Sequence, residues 1–136
     1  MADGAGFLIH HQVWDQWLIL KRSPWTGNPK RWSIPGGRVD RADRDLYHTA
    51  VREAIEEMGS LPGSIMPIAE VELARPRSRG RYLAILIATA DLTWTPALNW
   101  EHTKWRWATL EKIVQLKRTS LLDAVLLNLS NRSGQT

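Results

Sequence analysis

Residues 36–59 read GGRVDRADRDLYHTAVREAIEEMG, and no other run constrains the fold as tightly. Glu53, Glu56 and Glu57 stand at i, i+3 and i+4, so a helix places them on one face. Val51, Ala54, Ile55 and Met58 recur at i, i+3, i+4 and i+7, a stripe suited to a core. The pattern predicts a helix from about Leu46 to Met58, with Asp43 or Asp45 as N-cap and Gly59 as its stop. Such a helix is pinned by its apolar side and presents carboxylates on the other. Three like charges in little more than one turn repel. A hard divalent cation with oxygen ligands offsets that repulsion. The preceding pair Gly36-Gly37 lets backbone carbonyls approach a metal or a phosphate without side-chain interference. Arg52 and Glu56 are i, i+4 partners, so the arginine can orient a carboxylate.

A charge run alone is usually a solvated, salt-bridged helix face. Here the glycine pair, the Arg-Glu pair, the double glutamate and the terminal glycine occur together and in order. In this the chain resembles the Nudix hydrolases, whose box is written G-x5-E-x7-R-E-U-x-E-E-x-G-U with U bulky and apolar. Arg52, Glu53, Ile55, Glu56, Glu57 and Gly59 fit in register, which puts the box at residues 37–59. The preceding Trp-Ser-Ile-Pro-Gly-Gly resembles the family's lead-in strand and turn. The later run Glu101-His102-Thr103-Lys104-Trp105-Arg106-Trp107 is similar to the E-H-x-x-x-x-W segment of many members. The likeness spans roughly residues 5 to 116, most of the chain.

The chain departs from the family pattern in two places. The family's first glutamate falls on Arg44, and the spacing from Gly37 to Arg52 is one residue longer than the pattern. Asp43 and Asp45 flank the gap, and either can supply a carboxylate after a one-residue insertion. Members resembling coenzyme A pyrophosphatases share such an insertion, but their upstream motif matches Lys21–Gly37 poorly. Ser60 replaces the bulky residue after Gly59, with Leu61 next in line.

The resemblance implies an α+β Nudix fold, an α/β/α sandwich around a mixed central β-sheet. It implies a pyrophosphohydrolase that cleaves a nucleoside diphosphate linked to another group, X. NDP-sugars such as ADP-ribose and (d)NTPs, oxidised forms included, lead the substrates. It implies Glu53, Glu56 and Glu57 as metal ligands, with a backbone carbonyl at Gly36 or Gly37, Mg2+ as the metal and Mn2+ as a substitute. The general base is open. Glu53 or Glu56 can serve within the box. Glu101 is the first candidate outside it, on a loop that can fold over the site. His102 is adjacent, with an ordinary pKa near neutrality, and is weighed against an exposed loop histidine. A non-catalytic nucleotide-binding Nudix module is one alternative; a protein that interacts with RNA or its 5′ end is another.

Elsewhere the chain reads as strands at residues 5–11, 16–21, 32–34, 65–74, 82–90 and 104–108 and late helices at 110–116 and 120–129. Ser120 with Asp123 resembles a capping box, and residues 131–136 read as a frayed end. One domain over residues 1–136 is expected. Hydrophobic content of 43% and charged content of 24% are those of a soluble globular protein. No apolar run approaches the ~20 residues of a membrane span, and the N-terminus lacks a signal peptide, so the cytoplasm is the expected compartment. The absence of cysteine excludes disulfides and cysteine-ligated zinc. His10, His11 and His48 lack the spacing of a zinc cluster. The oligomeric state is open, a homodimer included.

A net charge of +4 and a pI of about 9.9 favour anionic partners. The box helix is acidic, so the positive charge must gather elsewhere. Arg75, Arg77, Arg79 and Arg81 alternate along one segment and could share a face toward phosphate or RNA backbone; a solvated hairpin tip is the commoner reading. Of the eight tryptophans, Trp17, Trp32 and Trp107 fall in strands and read as core or sheet-face residues. Trp14, Trp25 and Trp100 fall in loops and could stack on a base.

Overall fold

A computed structural model describes residues 2–75 and 80–133. The sheet is mixed. Its spine runs β3 (Trp32–Ser33), β2 (Gln16–Arg22), β1 (Gly4–His11), β6 (Arg81–Thr89), β5 (Met66–Ala74). β4 (Gly36–Arg38) pairs with the start of β1, and β7 (His102–Ala108) pairs with β2. β1 and β6 are parallel over their full length, from Gly4 opposite Tyr82 to His11 opposite Thr89. The other strand pairs are antiparallel.

Period-two alternation sends β1 side chains to two cores, so the sheet is covered on both faces. Phe7 and Ile9 join Leu18, Leu20, Ile85 and Ile87 under α1 (Leu46–Met58). Leu8 joins Ile19, Leu73 and Leu86 on the opposite face, under Ile113 of α2 (Leu110–Ile113) and Leu122 and Val125 of α3 (Ser120–Ser133). This is the expected α+β sandwich with a mixed sheet. Among the described residues no helix is long and apolar enough to cross a membrane.

Several expectations are corrected. β7 begins at His102, two residues early, because Arg22 pairs with His102 past a bulge at Lys21/Arg22. α2 stops at Ile113 because the Arg118 guanidinium takes the carbonyls of Ile113, Val114 and Leu116, at 3.2, 2.7 and 3.2 Å. α3 continues to Ser133, since neither glycine nor proline interrupts it before Gly134. Its cap is the Thr119 hydroxyl, which accepts from Leu122 N at 3.2 Å; Asp123 is turned to Arg118 instead. Leu61 does fill in behind the box helix, half-buried in the α1 core.

Candidate active site

α1 occupies the predicted residues. Asp45 is its N-cap, its Oδ1 accepting from His48 N at 2.7 Å. Gly59 ends it with φ 80°, donating to Ile55 O at 2.8 Å. The loop before β7 is laid on that end, with Ala97 N bonded to Met58 O at 2.8 Å and Asn99 N to Glu57 O at 3.0 Å.

The apolar stripe differs from the expected one. Ala50, Ala54 and Met58 are fully buried, Val51 is half-buried, and Ile55 is 47% exposed. The helix is rotated so that Glu57, 1% exposed, enters the interface where Ile55 was expected. The three glutamates are therefore graded rather than alike: Glu57 is buried, Glu53 half-buried and Glu56 exposed.

Glu57 Oε2 accepts from Gly36 N at 2.9 Å. The Glu53 carboxylate lies so close to Gly37 that a Cβ there would overlap it. Only glycine at position 37 lets β4 pass this near the Glu53 carboxylate. Burial pushes Glu57 up to about 9, opposed by the Gly36 amide; the charges of Glu101 and Glu53 push the same way as burial. Glu53 is also raised, by burial and then by Glu56.

Arg52 ties the acidic face together. It reaches Glu53 at 3.0 Å, Glu56 at 3.2 Å and Arg38 O at 2.9 Å. Asp43 takes the rest of the guanidinium through both its oxygens, at 2.9 and 3.0 Å. Those bonds hold the Asp43 carboxyl well below the usual range and raise Arg52. Of the two aspartates flanking the insertion, Asp43 supplies the carboxylate that faces Arg52, and Asp45 is spent on the cap.

His102 is not an exposed loop residue. It is 3% exposed, with Nδ1 3.6 Å from Glu57 Oε1, and neither ring nitrogen has a hydrogen-bond partner among the described residues. Burial, then the charge of Arg22, lowers it to about 4. Burial thus disfavours the charged form of both groups. Glu101 is half-buried beside it, its Oε1 accepting from Asn99 Nδ2 at 3.3 Å.

Arg75 and Arg81 do not share a face. The hairpin places Ala74 opposite Arg81, which turns to Glu72 at 2.9 Å. Arg75 crosses to Asp3 at 2.7 Å and lies over the Tyr82 ring, 5.2 Å from its centroid. Arg77 and Arg79 lie outside the described residues. Trp14 is stacked on His11 at 3.8 Å and so is already engaged. Trp25 and Trp100 are exposed, 71% and 65%. Trp17, Trp32 and Trp107 are half-buried against the cores, as expected.

A cleft of about 460 Å3 opens beside Gly36 and Gly37, with Arg22, Arg38, Arg75 and Tyr82 in its walls. The sequence pattern did not single out Arg22, Arg38 or Tyr82. Arg38 directly follows the glycine pair, which was the available signal. For Arg22 and Tyr82 only the register of β2 and β6 supplies one.

The family model for the NUDIX domain matches residues 5–129. The chain belongs to the NUDIX domain family. The human mitochondrial coenzyme A diphosphatase NUDT8 is 51% identical over 41 residues, 29% of this NUDIX chain and 17% of that protein's length. The structure of a C. elegans Ap4A hydrolase binary complex superposes with a TM-score of 0.76 at 20% identity, covering 98% of this chain and 99% of that one. MutT from Methanosarcina mazei Go1 superposes at 0.72 and 23% identity, covering 98% and 94%.

Nudix hydrolases generally use divalent metal ions. The donor set here fits one: Glu53 and Glu57 supply hard carboxylate oxygens beside a turn where a Cβ is excluded. Among the described residues no three acidic or histidine side chains stand at ligand spacing. Arg52 holds Glu56, and Gly36 holds one oxygen of Glu57. Glu56 is exposed and, among the described residues, held by Arg52 alone.

Proposed function

We propose that this NUDIX domain is a metal-dependent pyrophosphohydrolase that cleaves a nucleoside diphosphate linked to a second group. The observation that carries the reading is the pair Glu53 and Glu57, set against Gly36-Gly37 in the register of the family's box. Glu53, Glu56 and Glu57 are the proposed ligands, with the Gly37 carbonyl, for Mg2+ or Mn2+. When bound, the cation neutralises pyrophosphate oxygens and lowers the pKa of a water.

The chain's own residues do the rest. Arg52 orients Glu53 and Glu56 and is itself fixed by Asp43. Glu101 is the proposed base, accepting a proton at its carboxylate from the attacking water. Its charge already acts on Glu53 and Glu57. His102 is shielded from solvent and faces Glu57, so its proposed part is to pack against that carboxylate and position it. Trp25 and Trp100 are proposed to meet the base at the rim, and Arg75 to meet phosphate.

The test is a substrate panel with Mg2+ and Mn2+, read by chromatography of the nucleotide products. It holds ADP-ribose, (d)NTPs with oxidised forms, dinucleoside polyphosphates, coenzyme A and 5′-triphosphate RNA. Metal-dependent turnover of at least one member is expected. Binding without turnover on the whole panel would show a nucleotide-binding module instead.

A further inference from the structure

The cleft beside Gly36-Gly37 carries three arginines, and no carboxylate lines it. The box glutamates stand behind Gly36 and Gly37, which line it, so it adjoins the proposed metal-binding carboxylates. Arg75 is balanced at Nε by Asp3, while its Nη2 is buried without a hydrogen-bond partner among the described residues. Arg22 spends its Nε on Gly27 O at 2.6 Å. Among the described residues neither Arg22 nor Arg38 has an ion-pair partner. Arg22 is also near enough for its charge to act on Glu57 and His102.

A cation held by the box would neutralise the scissile diphosphate and leave Arg22 and Arg38 uncompensated. Guanidinium forks match phosphate oxygens, and a cleft lined with one sign of charge concentrates ligands of the other. We infer that the Arg22–Arg38–Arg75 cleft binds a third phosphate of the substrate, beyond the scissile diphosphate. That phosphate is either the end of a triphosphate chain or a separate phosphomonoester on the nucleoside. The inference rests on the pyrophosphohydrolase reading and narrows its substrate class.

The experiment uses two matched pairs on the full chain with Mg2+: GDP against GTP, and ADP-ribose against 2′-phospho-ADP-ribose. In at least one pair the member with the extra phosphate should have kcat/KM ~10-fold higher or more, the scale of one charge-assisted hydrogen bond. Arg22→Ala and Arg38→Ala should bring that ratio toward parity, and Arg22→Lys should restore part of it. Circular dichroism confirms that the variants fold, since neither arginine holds an ion pair. Preference in the first pair alone assigns a chain end, in the second alone a phosphomonoester. Parity in both pairs, or a preference that survives both alanine variants, overturns the inference while leaving the enzyme reading intact. If no member is turned over, the wider substrate panel decides the enzyme reading, and tryptophan-quench affinities for the same pairs and variants decide the cleft on the same criteria.

Discussion

Asp43 grips Arg52 through both carboxylate oxygens, Oδ1 to Nε at 2.9 Å and Oδ2 to Nη2 at 3.0 Å, and Oδ2 also accepts from the Thr49 hydroxyl at 2.8 Å. One aspartate from the inserted loop thereby fixes the guanidinium that touches Glu53 and Glu56.

Replacing that carboxylate tests its role. Asp43→Asn keeps the shape but removes the charge that anchors Arg52. Turnover should fall ~10–100-fold, as when an orienting partner of a metal-site residue is removed. Asp45→Ala should instead cost ~1 kcal/mol of stability through the missing cap and leave turnover in place. Steady-state kinetics beside thermal melts separates the two. If Asp45→Ala is the slow variant, the assignment of the two aspartates is reversed.

Glu57→Gln gives a prediction in two readouts. Turnover should fall by orders of magnitude, because a proposed ligand loses its charge while the Ala50, Ala54 and Met58 stripe is untouched. Glu56→Gln should behave similarly, and the double variant should not be additive. An unchanged rate at saturating Mg2+ would refute the assignment of this face.

The second readout is pH. Burial raises Glu57 from 4.5 to about 9 in the folded state, so the folded chain binds its proton more tightly than the unfolded chain. Its contribution to stability is whole below pH 4.5 and is lost as pH rises through about 9. His102, lowered from 6.5 to about 4, runs the other way: its contribution is present above 6.5 and lost as pH falls through about 4. The clean window for Glu57 is therefore above pH 6.5. In EDTA, the melting temperature of the unsubstituted chain should fall between pH 6.5 and 9 more steeply than that of Glu57→Gln. Parallel curves would mean that Glu57 titrates normally.

The two exposed tryptophans proposed to stack on the base are tested by Trp25→Ala and Trp100→Ala. Both are well exposed, so stability should hold within about 0.5 kcal/mol. If a base stacks on either, KM rises while kcat holds. Unchanged KM in both would remove the tryptophans from the substrate site.

The helix Leu46–Met58 was legible because periodicity, capping residues and the terminal glycine agree at the same positions. Its rotation was not. Ile55 and Glu57 lie two residues apart, on opposite flanks of the Ala54 and Met58 stripe, and side-chain type alone favours burying the isoleucine. The Gly36 amide, twenty-one residues away, reverses that choice by hydrogen-bonding the glutamate. For the arginines the hairpin tip, the commoner reading of the sequence, agrees with the strand pairing, and a shared face does not. Alternation from Arg75 to Arg81 implies one face only if the segment is a single strand, and here it turns back between Ala74 and Arg81. The cleft of Arg22, Arg38 and Tyr82 joins β2, β4 and β6, which meet only through sheet register. His102 was misplaced because one bulge at Lys21/Arg22 draws it into β7.

Glu101 and His102 provide the last test. Glu101 is half-buried on the loop that Asn99 N ties to Glu57 O, and its carboxylate accepts one weak bond from Asn99. Glu101→Gln keeps the size and loses the proton-accepting power, and loss of a general base costs ~10²–10⁴ in rate. The change should fall on kcat, with the Mg2+ dependence nearly unmoved, since Glu101 is not a proposed ligand. His102→Ala should do the reverse. It removes the ring packed against Glu57, so the apparent Mg2+ affinity should weaken more than kcat at saturating metal. Measuring kcat across a Mg2+ titration for both variants decides the roles. If His102→Ala is slow at saturating metal and Glu101→Gln is not, the histidine is the base. If both hold kcat, the base lies within the box, with Glu53 first, because it is raised by burial and stands against Gly37.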